Sequence, residues 1–253
     1  GSVSYGMAQY SEARPEEDFH RVLAPDGTLV GEPPDVSAET LRDFYWTMVL
    51  NRRFDEKALS MQRRGELSIH ARVIGEEATP LGSAAALEPG DWCFPSYRQS
   101  PAPFYWGASM AQAYAGLMGA DPETIQEHLP VPDSESPPVN FTPVYVPLAV
   151  NIPNAVGSAM ADSLNDRDIV SMGYIGDGST SEGDFHEAMN FAGVFDAPAV
   201  IVCQNNQWAI SVPANRQTAS ETFAAKGTAY GVPSERVDGN DVLAVYQVTK
   251  QAV

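Results

Sequence analysis

A single aspartate between two glycines, Gly176-Asp177-Gly178, and an asparagine pair, Asn205-Asn206, bracket a segment whose residue types suit divalent-metal and phosphate chemistry. A carboxylate and an amide oxygen are hard donors. Two of them leave coordination positions open, which suits Mg2+ shared among protein, water and phosphate oxygens. The glycines let backbone approach a phosphate closely, and a helix beginning just beyond them offers free N–H groups to it. Alone, Gly-Asp-Gly is an ordinary tight turn. Its meaning depends on the elements around it.

Those elements are legible. Residues 169–175 (IVSMGYI) form an apolar run with the length and β-rich character of a buried strand. Ser181 with Asp184 three residues on reads as a helix start, with Ser as N-cap and an acid at N3. Phe185, Ala188, Met189, Ala192 and Phe195 then share one helical stripe, and Pro198 ends the helix. Residues 199–203 (AVIVC) predict a second buried strand running into the asparagines. A strand–helix–strand unit of this kind has parallel strands and a right-handed crossover. Asp177 and Asn206 would then lie beyond the carboxyl ends of neighbouring strands, roughly 5 Å apart, where open α/β sheets bind ligands.

With this order of elements the chain resembles a known family. Gly-Asp-Gly followed by Asn-Asn is similar to the thiamine-diphosphate motif. SEGDFHEAMNFAGV and NNQWAISVP resemble the alpha subunits of 2-oxoacid dehydrogenases, the decarboxylating components of pyruvate and branched-chain complexes. Further matching pieces are GEEATPLGSAAAL (75–87), FPSYR (94–98), PLAVNIPNAVG (147–157) and VDGNDVLAVY (237–246), so the likeness runs from about Leu41 to the end. The resemblance implies a three-layer α/β/α fold with a mostly parallel sheet, binding thiamine diphosphate and Mg2+. It implies that Asp177, Asn206 and the main-chain carbonyl of Trp208 ligate Mg2+. Tyr97 and Arg98 would contact the diphosphate, where the guanidinium fork can take two oxygens at once. Gly176, Gly178 and Ser179 would line it, the last two through backbone N–H groups, and Leu148 would pack near the aminopyrimidine.

The same resemblance implies a beta subunit that supplies the activating glutamate, an assembly of two alpha and two beta chains, and a lipoyl-bearing acyltransferase as acceptor. The substrate would be a 2-oxo acid, pyruvate or branched-chain, with acetoin as a further alternative. No catalytic side chain of this chain is assigned. Val146 stands where the family usually has serine, Asn140 where it has an active-site histidine, and Gln204 where a basic residue often precedes the asparagines. The sequence also ends before the region in which the family carries a second histidine. These departures make a diverged or shortened assembly subunit the competing expectation. A Rossmann-type dehydrogenase is disfavoured, because no G-x-G-x-x-G follows a predicted strand.

The chain's 253 residues include 15 basic and 33 acidic ones, a net charge of −18, and only Lys57, Lys226 and Lys250 are lysines. Such a surface repels nucleic acid and anionic membranes. Cys93 and Cys203 make no disulfide framework, and His20, His70, His128 and His186 lack zinc-like spacing. No run approaches the roughly 20 apolar residues of a membrane span and no signal peptide is visible, so a cytoplasmic location is expected.

The expected organisation is an extended arm over 1–36 and a diphosphate-binding domain over 37–253, without the family's C-terminal part. A helix is expected from Ser37 to about Arg64, with Leu41, Tyr45, Met48, Val49, Leu59 and Met61 near one stripe and Gly65 as its stop. Its Arg52, Arg53, Arg63 and Arg64 read as a solvated face paired with nearby acids. A small-residue helix is expected at 75–87, an irregular proline-rich stretch at 121–147 and a helix at 152–164. Beyond these, helices at 221–230 and 241–252 flank a short strand near 235–237.

Overall fold

Ser37 starts the first helix as its side chain suggests, with Oγ accepting the Thr40 N–H at 3.0 Å. The computed structural model describes residues 19–121, 123–125 and 139–253. Residues 1–18 of the expected arm, His128 and five of the seven prolines of the expected 121–147 stretch fall outside them. In chain order the helices are α1 (Ala38–Arg63), α2 (Ala78–Ala85), α3 (Pro101–Tyr105), α4 (Met110–Leu117), α5 (Asn151–Leu164), α6 (Gly183–Phe195), α7 (Ala214–Gln217), α8 (Ala224–Ala229) and α9 (Val242–Ala252). The strands are β1 (Trp92–Phe94), β2 (Asn140–Phe141), β3 (Ser171–Gly176), β4 (Ala199–Gln204), β5 (Trp208–Ala209) and β6 (Val212–Pro213).

The first four strands form one parallel sheet in the order β2-β1-β3-β4. The pleat of β3 decides which layer each residue serves. Met172 and Tyr174 pack with Leu87, Cys93 and Val139 on the α2 side, where the fully buried Tyr174 hydroxyl meets Ser83 Oγ at 2.8 Å. Ile175 faces the other way, into a cluster with Ile152 and Val156 of α5 and Phe185, Ala188, Met189 and Ala192 of α6. A Cβ on Gly173 would lie 2.7 Å from Ile152 Cδ1, so α5 can approach the sheet this closely only over a glycine. Helices thus cover both faces of a parallel sheet, the expected α/β layering. Asn151 ties the layers together, donating from Nδ2 to the carbonyls of Phe94 (2.9 Å) and Tyr174 (2.8 Å).

On the α2 face, the expected small-residue helix packs against α9. A Cβ on Gly82 would come 2.8 Å from the Val242 carbonyl oxygen. Asp241 caps α9 through Oδ1, and its Oδ2 accepts the Val22 and Leu23 N–H groups at 2.7 and 2.6 Å. Between 235 and 237 there is only one parallel bridge, His20 to Val237, rather than a strand. No helix among the described residues is long and apolar enough to cross a membrane.

Four local expectations are corrected. The buried face of α1 is Phe44, Thr47, Asn51, Phe54, Asp55, Ala58 and Met61, while Leu41 and Tyr45 are exposed. Buried polar residues hold part of that face, so an apolar stripe alone misplaces it. Ser181 ends a 3-10 turn, Asp177–Ser181, and Glu182 is the N-cap residue of α6, without a side-chain cap bond. Phe195 is exposed and stacks on Phe191, centroids 5.7 Å apart, on the outer side of α6. Strand β4 is half-buried along Ala199–Cys203, because among the described residues β3 is its one neighbour in the sheet.

Gly193 lies where α6 passes the main chain at Tyr230, and an added Cβ would sit 2.0 Å from the Tyr230 carbonyl oxygen. Gly193→Ala should therefore destabilise the protein by about 1–3 kcal/mol. Gly183→Ala, in the same helix but with nothing within 4 Å, should be neutral or slightly stabilising. Urea denaturation of both variants checks this; equal midpoints would show that α6 shifts freely.

Candidate functional site

Strands β3 and β4 pair in parallel up to Gly176 opposite Gln204. The chain leaves both strands at the same level, so Asp177 and Asn205-Asn206 emerge side by side at the carboxyl edge. Asp177 opens the 3-10 turn and is 2 % exposed. Its Oδ2 is buried and finds no hydrogen-bond partner among the described residues. Burial pushes this carboxyl above its ordinary range. The main-chain N–H groups of Asp177 and Gly178 pull it back, and the nearby Glu76 charge pushes it up further.

The turn is braced from behind. Thr180 Oγ1 donates to the Asp177 carbonyl at 2.8 Å, and Gln217 Nε2 donates to the same carbonyl at 2.9 Å. Lys226 Nζ reaches Thr180 Oγ1 at 2.7 Å. Gly178 is needed for a reason the sequence did not reveal: a Cβ there would lie 2.8 Å from the Ala209 Cβ, so the turn seats directly on the loop after β4. Gly176 has no such neighbour, and Ser179 is buried within the turn.

Beyond β4, Asn206 Oδ1 accepts the Trp208 N–H at 3.0 Å, and an amide oxygen retains a second lone pair. The bond from Ala214 N–H to the Gln207 carbonyl (2.9 Å) flanks the Trp208–Pro213 pair of the β5–β6 hairpin. That makes it a pair without mutual bonds, and it leaves the Trp208 carbonyl turned away from the partner strand. The Trp208 side chain itself is 47 % exposed.

Glu76 is the residue the sequence reading missed. Its Oε2 accepts Gln204 Nε2 at 3.1 Å and its Oε1 accepts Asn206 Nδ2 at 3.3 Å. Gln204 in turn accepts Gln99 Nε2 at 2.5 Å, and Gln99 accepts the Arg98 N–H at 3.2 Å. Neutral Gln204 thus relays between the loop that carries Tyr97 and Arg98 and the loop that carries Asn206. The signal was the Gly-Glu-Glu before α2, whose second acid, Glu77, pairs with Arg52 at 2.5 Å and leaves the first for the site. Arg98 lies 5.9 Å over the Tyr97 ring and its Nη1 donates to the Arg72 carbonyl.

Leu148 is partly exposed in the turn before α5, next to Ala149 at φ 64° and the exposed Val146. Asn140 pairs with Trp92 at the start of β1, and its Nδ2 donates to the Gly90 carbonyl at 2.9 Å. His186 is exposed on α6, its Nδ1 2.6 Å from the Tyr230 hydroxyl. Among the described residues no three His, Cys, Asp or Glu side chains cluster as metal ligands. An ion at this edge would draw on one carboxylate, an amide and main-chain oxygens, with ligand or water completing the shell, a set that fits Mg2+ better than zinc.

Because burial raises its carboxyl, Asp177 is ionised in the folded chain only at higher pH than in the unfolded chain. Stability therefore falls as pH rises from the ordinary carboxylate range through the raised value, and the cost is fully present above it. Without metal, Asp177→Asn should be more stable than the unsubstituted chain at pH above that raised value, by about 1–3 kcal/mol, should melt at a higher temperature there, and should lose that pH slope. Calorimetric melts between pH 4 and 8 test this; a lower melting temperature for the variant would contradict it.

Residues 45–253 match the family model described as dehydrogenase E1 component. Over 240 residues the chain is 41% identical to the 3-methyl-2-oxobutanoate dehydrogenase subunit alpha of Mycobacterium tuberculosis, covering 92% of this chain and 62% of that one. It is 40% identical over 230 residues to the pyruvate dehydrogenase E1 component subunit alpha of Acholeplasma laidlawii, covering 90% and 64%. With the 2-oxoisovalerate dehydrogenase subunit alpha 2 of Arabidopsis thaliana the identity is 39% over 236 residues, covering 92% and 50%. The chain thus spans between half and two thirds of the length of these relatives. On the family match and these identities, this chain belongs to the dehydrogenase E1 component family.

Proposed function

We propose that this chain is the alpha-subunit part of a 2-oxoacid dehydrogenase and that its strand ends hold Mg2+ and the diphosphate of thiamine diphosphate. The observation that carries the reading is the buried, unpartnered Oδ2 of Asp177, set beside Asn206 where β3 and β4 end together. A buried carboxylate oxygen left without a donor is costly, and a divalent cation removes that cost.

Asp177, the Asn206 amide oxygen and the Trp208 carbonyl would hold the ion. The N–H groups at Gly178 and Ser179 and the side chains of Tyr97 and Arg98 would take the diphosphate, with Gly176 letting the backbone leave β3 beside it. Leu148 would meet the aminopyrimidine. Thiamine diphosphate, when bound, supplies the electron sink that lets a 2-oxo acid lose CO2. The chain's own part is to fix position: the brace of Thr180, Gln217 and Lys226 sets Asp177, and Glu76 sets the Asn206 amide, so the ion's donors are placed before it arrives.

The exposed Leu148, Val146 and Tyr97 fit a site completed by another chain. We assign that role to a beta subunit, two alpha and two beta chains assembling together, with a lipoyl-bearing acyltransferase as acyl acceptor. Pyruvate and branched-chain 2-oxo acids both remain within the substrate class. Asn140 and Val146, standing where the resemblance calls for a histidine and a serine, favour a second reading, an assembly subunit without turnover.

Isothermal titration of Mg2+ and thiamine diphosphate into the chain reconstituted with a beta subunit separates these readings. Binding that Asp177→Ala removes, together with decarboxylation of a 2-oxo acid, is the expected result. Unchanged affinity in Asp177→Ala would take Asp177 out of the metal site. Cofactor binding without decarboxylation of any 2-oxo acid would favour the assembly subunit.

A further inference from the structure

A second feature adjoins this edge. Arg63, Arg72 and Arg98 line one cavity of about 440 Å3, together with His70, Leu59 and Ile74. Three arginines in one cavity are a large share for a chain with 15 basic residues and a net charge of −18. Three other arginines on or just past α1 behave as a solvated face should: Arg52 pairs with Glu77 (2.5 Å), Arg53 with Glu56 (2.8 Å), and Arg64, at the helix end, with Glu66 (2.6 Å). Neither Arg63 nor the Arg72 guanidinium has an acid partner among the described residues. Arg98 is held by a main-chain carbonyl, that of Arg72, rather than by an acid. The one carboxylate on the wall among the described residues, Glu76, is already engaged with Gln204 and Asn206.

The cavity also has a built frame. Fully buried Asp55 of α1 accepts His70 Nε2 at 2.7 Å through Oδ1 and the Val73 N–H at 2.7 Å through Oδ2. Arg72 lies between these two anchors, so a buried carboxylate fixes the loop that presents it. Phe54 packs edge-on against the His70 ring, centroids 5.6 Å apart. Guanidiniums without acid partners, on a fixed loop and beside aliphatic walls, suit a small ligand with one anionic end and a short alkyl end.

We propose that Arg63 and Arg72 receive the carboxylate of the 2-oxo acid, with Leu59 and Ile74 against its alkyl group and Arg98 shared with the diphosphate side. This rests on the reading above that the chain handles a 2-oxo acid. A monoanionic carboxylate suits the cavity better than a free diphosphate does, because Glu76 stands on its wall and the carboxylate of Asp177 lies near it.

The test is binding of 3-methyl-2-oxobutanoate to the chain reconstituted with a beta subunit, followed by ligand-observed NMR. Its uncharged methyl ester is measured beside it, and Mg2+ with thiamine diphosphate is titrated separately. The acid should bind, and the ester at least about tenfold more weakly. Arg63→Met and Arg72→Met should each weaken the acid by about tenfold while leaving cofactor affinity and far-UV circular dichroism unchanged. Arg53→Met, whose arginine pairs with Glu56 outside the cavity, should change nothing. Equal binding of the acid by all variants overturns the inference. So does a loss of cofactor rather than acid affinity, which would assign the arginines to the diphosphate. Failure of the unsubstituted protein to bind Mg2+ and thiamine diphosphate would overturn the functional reading beneath it.

Discussion

The parallel pairing of β3 with β4 is the constraint on which the site depends. The two strands stay in register from Ser171 opposite Ala199 to Gly176 opposite Gln204 and then end together. The candidate ion donors follow within a few residues of that shared end: Asp177 after β3, and Asn205-Asn206 with the β5–β6 hairpin after β4. A parallel pair can do this because its connection is a helix that returns the chain to the same starting edge. The two carboxyl ends are then neighbours by construction. A slip of one register position would exchange the residues that β3 turns to its two buried layers and carry Asp177 off its partner loop.

Close packing then converts adjacency into a rigid site. Gly173 admits Ile152 of α5 to the sheet, and Gly178 admits Ala209 to the turn. Asn151 bonds two strand carbonyls from the helix side. These contacts leave little room for the 3-10 turn to move, and the buried oxygen of Asp177 cannot swing out to water for solvation. The position of that unpartnered oxygen is therefore held by the fold around it.

Charge gives this edge its direction. Glu76 and Asp177 place two carboxylates near one another in a strongly acidic protein, and lone acids so placed repel. The amides of Gln204 and Asn206 absorb part of Glu76's charge by hydrogen bonding, whereas Asp177 Oδ2 is left without a donor. On the other side of Glu76 lies the cavity lined by three arginines. One carboxylate thus separates a place that calls for a cation from a place that calls for an anion.

The sequence by itself determined the strand–helix–strand unit around Asp177, the α/β class, the start and stop of α1, the close packing of the small-residue helix α2 and the family. All of these rest on local spacing, capping chemistry and short motifs, which the chain carries wherever it folds. The tertiary structure decided the rest. Nothing local showed that Glu76 would bond Asn206, that Gln204 would relay to Gln99, or that Arg63 alone among the α1 arginines would lie in a cavity without an acid partner. The polar members of the α1 core, Asn51 and Asp55, were invisible to an apolar pattern because their burial depends on partners distant in sequence, Ser100, His70 and Val73. Helix and strand follow from short-range geometry, but a site of this kind depends on which loops end side by side, and that is fixed only when the layers pack.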